Sequence, residues 1–103
     1  MPVKPFTQRR SSSYDMMVNE LYEEWVHPNP AAREPVILEE KDRSNKLVHV
    51  YVVWSKWADI DGIERSEIIM DAAEKKLPTQ DLLEISIAMG LTPVEAQRMG
   101  IGS

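Results

Sequence analysis

The chain has 103 residues, a formal net charge of −5, 43% hydrophobic and 28% charged residues, and no cysteine. This length and composition predict one globular domain with its own core. The missing cysteines exclude disulfides, thiolate metal sites and cysteine catalysis, and the acidic balance argues against a general nucleic-acid binder.

Residues 1–13 contain two prolines, three consecutive serines and few apolar groups, and read as a disordered basic tail ahead of a single α+β domain over 14–103. Lys4, Arg9 and Arg10 are its candidate contacts for an anionic partner. No apolar stretch follows that would make it a secretory signal. From Tyr14 to Val26, the residues Tyr14, Met17, Val18, Leu21, Tyr22 and Trp25 fall on one helical stripe. Ser12 and Asp15 are placed to open that helix as a capping box, and His27-Pro28-Asn29-Pro30 stops it.

Pro35 to Lys41 reads as a short strand, Asp42 to Asn45 as a turn, and Leu47 to Trp54 as the strongest strand, together a β-hairpin. In the second strand Val48, Val50, Val52 and Trp54 should face one way, and Leu47, His49, Tyr51 and Val53 the other. Both sets are largely apolar, which predicts a central strand. Asp61 with Glu64 opens the next helix as a capping box, Ile68, Ile69, Ala72 and Ala73 form its buried face, and Pro78 ends it. Asp81 to Gly90 is ambiguous. Alternation of Leu83, Ile85, Ile87 and Met89 favours a strand; Leu82, Ile85 and Met89 would also line a helix with Gly90 as its C-terminal cap. Thr92, Pro93 and Glu95 begin a last short helix. The expected fold is therefore α+β, a tail followed by α-β-β-α-β-α, with helices on one face of a three-stranded sheet. The alternative is α-β-β-α with a helical C-terminal half.

The stretches VYVVWSKWADIDGIER and LEISIAMGLTPVEA resemble the BolA-like family, whose fold is related to the type II KH domain. The likeness covers Tyr14 to Met99. Trp57 stands at the family's aromatic position, Arg65 at the first arginine of its Arg-His-Arg signature, and Thr92, Pro93 and Glu95 at its last helix start. The signature histidine, which in the family helps bind a shared iron–sulfur cluster, corresponds to Ser66, and the second arginine to Glu67. The resemblance thus implies architecture and an adaptor habit without the cluster chemistry. The Gly-x-x-Gly loop with which KH domains clamp nucleotides is absent.

Other constellations are weak. His27 and His49 have no ligand pattern around them. Asp59-x-Asp61-Gly62 matches part of a calcium loop, but Trp57 and Ile68 occupy positions that need oxygen donors. The acidic groups Glu39, Glu40, Asp42 and Asp59, Asp61, Glu64 fall at turns, where solvent keeps carboxylates ordinary. No nucleophile elbow or phosphate loop is visible. The sequence predicts a cytoplasmic, non-enzymatic binding module without cofactor or membrane span, contacting a protein through Trp57 and Arg65 with Trp54 and Asp61 beside them. In this reading one of the tryptophans fills the core and the other lies at the surface; the alternative is that both pack in the core or the corner. The competing expectation is nucleic-acid binding through the basic tail.

Overall fold

The apolar stripe of the first segment folds as helix α1 (Tyr14–Val26), with Tyr14, Met17, Val18, Leu21 and Trp25 buried. The computed structural model describes residues 13–101, so Lys4, Arg9, Arg10 and Ser12 lie outside the described residues. The N-cap position falls on Ser13 rather than Ser12.

Strands β1 (Val36–Lys41) and β2 (Leu47–Val53) form the expected antiparallel hairpin. Its turn is built by Asp42, whose Oδ1 accepts the backbone N–H groups of Ser44 at 2.8 Å and Lys46 at 3.0 Å. Asn45 takes the left-handed conformation (φ 65°) that its short polar side chain tolerates. The register shifts between Glu40 and Lys41: Glu40 pairs with His49 and Lys41 with Leu47. Val48 is the extra residue of this bulge, and one extra residue reverses the alternation. Leu47 therefore packs against the core, on the side opposite His49, Tyr51 and Val53, with which the expected alternation aligns it.

Helix α2 (Gly62–Lys76) opens at Asp61, whose carboxylate accepts Glu64 N–H at 2.9 Å, and buries Ile68, Ile69, Ala72 and Ala73 completely. It carries the chain back across the sheet so that β3 (Ile87–Leu91) pairs with β2 in parallel, as a helical crossover requires. The sheet order is β1-β2-β3, with β2 central.

The ambiguous segment divides. Thr79–Leu82 form a single helical turn, α3, and the strand starts only at Ile87. The even alternation from Leu83 is not one strand: Leu82 and Ile85 pack on the core, whereas Leu83 is 80% exposed. Turn hydrogen bonds such as Leu82 N–H to Pro78 O and Ile85 N–H to Leu82 O satisfy the backbone while the chain descends to the start of β3. Gly90 lies inside β3 instead of capping a helix. Helix α4 (Pro93–Met99) has the predicted capping box at Thr92 and Glu95 and ends at Gly100 in the left-handed conformation.

The core brings α1 and α2 onto Val50 and Val52 of the central strand and Trp54 just beyond its end. Both helices occupy the same side of the sheet.

Candidate binding surface

The Trp–Arg corner is interior. Trp54 N–H donates to Leu91 O, and a 3₁₀ turn over Ser55–Trp57 follows at once. At three residues per turn, a 3₁₀ helix stacks i over i+3, so the turn brings Trp57 back to the side of Trp54. An extended strand would have set them on opposite faces. The two indoles meet edge to face, with centroids 5.2 Å apart and planes at 84°. Trp57 is completely buried, and its Nε1 donates to Val52 O at 3.0 Å. The expected exposed tryptophan is thus corrected: neither Trp54 nor Trp57 reaches the surface.

Arg65 is also interior, 9% exposed. Its Nε donates to Ile60 O at 2.7 Å and its Nη2 to Trp57 O at 2.8 Å. Its Nη1 donates to Gly90 O at 3.2 Å and Glu95 Oε1 at 2.7 Å. One guanidinium therefore joins the corner, β3 and α4, a use that the rigid fork of arginine allows and lysine does not. Hydrogen bonds from Thr92 N–H and from Arg65 hold the Glu95 carboxyl below its ordinary range. Asp61 spends its carboxylate on the helix cap. Trp54, Trp57 and Arg65 form a buried scaffold, and Asp61 caps α2 from an exposed position.

The same cluster closes the sheet's edge. Leu91 O points to β2, so by the period of two the carbonyls of Gly90 and Ala88 point away from it. Arg65 takes the first, and Ser66 Oγ takes the second at 2.7 Å. Ser66 thus acts as an edge cap.

The surface left open is the other side of the sheet. The register places Leu38, Tyr51 and Met89 in one row across the three strands, Val36, Val53 and Leu91 in the next, and Glu40, His49 and Ile87 at the far end. Leu38, Tyr51, Val53, Ile87 and Met89 are half-buried, and none belongs to the core cluster or packs against it. Leu91 is buried where the chain turns into α4. At the polar end, His49 Nδ1 lies 2.7 Å from Glu40 Oε1, and the rings of His49 and Tyr51 meet edge to face at 6.4 Å. Burial, followed by the negative charge of Glu40, raises the Tyr51 hydroxyl above its ordinary value.

The remaining candidates are dispersed. His27 is exposed at the end of α1, far in sequence from the His49–Glu40 pair. Glu39 accepts Trp25 Nε1–H at 3.2 Å, and Asp42 builds the hairpin turn. Among the described residues no group of three or more His, Asp or Glu is placed to hold a metal ion, and no helix is long and apolar enough to cross a membrane. The sequence did carry a signal for the open face. An outward set of Tyr51 and Val53, combined with helices expected on one side only, implies an uncovered apolar surface.

Comparison with models of known protein families, with curated proteins and with solved structures finds no match.

Proposed function

We propose that this protein is a non-catalytic binding module, an adaptor or regulatory protein that contacts a protein partner through the open face of its sheet. The observation that carries this reading is the apolar row Leu38, Tyr51 and Met89, set on the side opposite every helix of the core cluster. A contiguous, partly exposed apolar row of this kind suits an interaction site on a single domain, and a tyrosine at its centre is a common anchor. The Trp54, Trp57 and Arg65 corner supports this role indirectly, by holding β3 in register so that Met89 and Ile87 stay beside Tyr51. The BolA-like resemblance is consistent with an adaptor and supplies no ligand set here. The tail-based nucleic-acid reading has no observation among the described residues in its favour.

The test is parallel affinity capture with the wild-type chain and a Tyr51→Lys/Met89→Lys variant, at low and high salt, analysing protein and nucleic acid together. A protein held by wild type at high salt and lost from the folded variant is the expected result. Equal capture by both would overturn the reading. Nucleic acid recovered only at low salt by both would favour the tail instead.

A further inference from the structure

The open face also constrains what can sit on it, granted that it is the contact surface proposed above. Strand addition is disfavoured at both edges. On β3 the outward carbonyls of Ala88 and Gly90 are already taken by Ser66 and Arg65. On β1 the edge carries the consecutive charges Glu39, Glu40 and Lys41 and a break in register between the last two, devices that deter pairing. An extended peptide therefore finds no clean template, and the occupant must lie on the face.

With strands about 4.8 Å apart and about 3.3 Å of rise per residue, the face measures roughly 10 by 17 Å. A second copy seated here would cover a few hundred Å², well short of the roughly 800 Å² per partner of a standard interface. It would also bring together two chains that each carry a net charge of −5. An α-helix, by contrast, is about 10 Å across, and about three turns of it match the length of the face. Recognition through i, i+3, i+4 and i+7 anchors works at this scale. The acidic group on the face is Glu40, which lies 2.7 Å from His49 Nδ1 and whose side chain is 58% exposed. Its carboxylate is the complement of a cation.

We infer that the partner element is a basic amphipathic helix that lays its apolar stripe across Leu38, Tyr51 and Met89 and sets a Lys or Arg against Glu40. The apolar row supplies the burial, and Glu40 fixes the direction of the helix on the sheet.

The experiment titrates the full chain with synthetic helices of about four turns, followed by amide NMR. The first probe has leucines at i, i+3, i+4 and i+7 and lysines elsewhere. The second has glutamate for lysine, and the third has the first composition scrambled so that no stripe forms. The basic helix should bind saturably and perturb Tyr51, Val53, Ile87 and Met89, and the other two should not. Glu40→Lys, a change at an exposed position, should weaken the basic helix at least about fivefold, and Tyr51→Lys/Met89→Lys at least about tenfold. The charge-reversed Glu23→Lys on α1 should leave the affinity and the perturbed residues unchanged. No saturable binding, equal binding of the scrambled or acidic probe, or perturbations confined to α1 and α2 would overturn the inference. If the captured protein still depends on Tyr51 and Met89 while the basic helix fails, the helix inference falls and the binding-module reading stands. If capture is independent of the face, both fall.

Discussion

Gly90 and Trp57 are so close that a side chain at Gly90 has no room: a Cβ there would lie 2.8 Å from Trp57 Cε2, 2.9 Å from Trp57 Nε1 and 2.9 Å from Arg65 Cβ. The indole of the 3₁₀ turn is thus laid directly on the backbone of β3. Glycine is required by close approach, not by a left-handed backbone, since no positive φ is found at this position.

Gly90→Ala should therefore destabilise the protein by about 1–3 kcal/mol, because the contacted atoms belong to a fully buried ring and a helix-borne Cβ that cannot simply swing aside. Urea unfolding followed by tryptophan fluorescence should show a lower midpoint with an unchanged slope. An unchanged midpoint would mean that the corner yields freely.

Arg65→Lys should behave as a disruptive substitution. Lysine cannot reach Ile60 O, Trp57 O, Gly90 O and Glu95 together, so at least one buried carbonyl loses its donor, at a cost of about 1–3 kcal/mol. The same variant uncovers one edge carbonyl of β3, so amide exchange should accelerate first in β3 and α4. Uniform acceleration across the whole domain would argue against Arg65 as the local clamp.

Ile69→Ala removes a completely buried side chain from the α2 face that meets β2 and α1. Its expected cost is about 2–5 kcal/mol, the range for emptying a well-packed site. A loss below about 1 kcal/mol would show that the helix collapses into the vacated space.

Glu95 should contribute to acid sensitivity. Its folded-state value is depressed, first by Thr92 N–H and then by Arg65. A depressed carboxylate stabilises fully above its unfolded value, near the ordinary 4.5, and that stabilisation is lost as pH falls through the lower folded value. Glu95→Gln should lower the midpoint at neutral pH and converge on wild type in acid. Parallel pH profiles for the two proteins would exclude this role. Glu34 acts in the same direction through the Ser55 N–H and hydroxyl, so some acid dependence should remain in the variant.

The local elements were legible wherever neighbouring residues decide them. The stripe from Tyr14 to Trp25, the valine strand, the Asp61 cap and the Thr92-Pro93-Glu95 helix start each rest on contacts within one or two turns of chain. The Leu83–Met89 alternation misled because its period of two records only composition. Whether Leu83 meets a core depends on where the crossover from α2 sets the chain down, and it lands in solvent.

The proposed binding surface was less legible for the same reason. Trp57 and Arg65 carry the residue types of an interface anchor, yet the turn at Ser55 folds the tryptophan inward and the arginine follows it to the carbonyls of the corner and of β3. Tyr51 and Met89, 38 positions apart, become neighbours only through the parallel pairing of β2 with β3. Outside Asp81 to Gly90, the sequence by itself determined which segments coil and which extend, because capping, proline stops and apolar periodicity act over a few residues. Only the tertiary structure decided which apolar groups became core and which became surface. That choice is made by packing between distant segments: α1 and α2 both settle on one side of the sheet and leave the row of Leu38, Tyr51 and Met89 on the other.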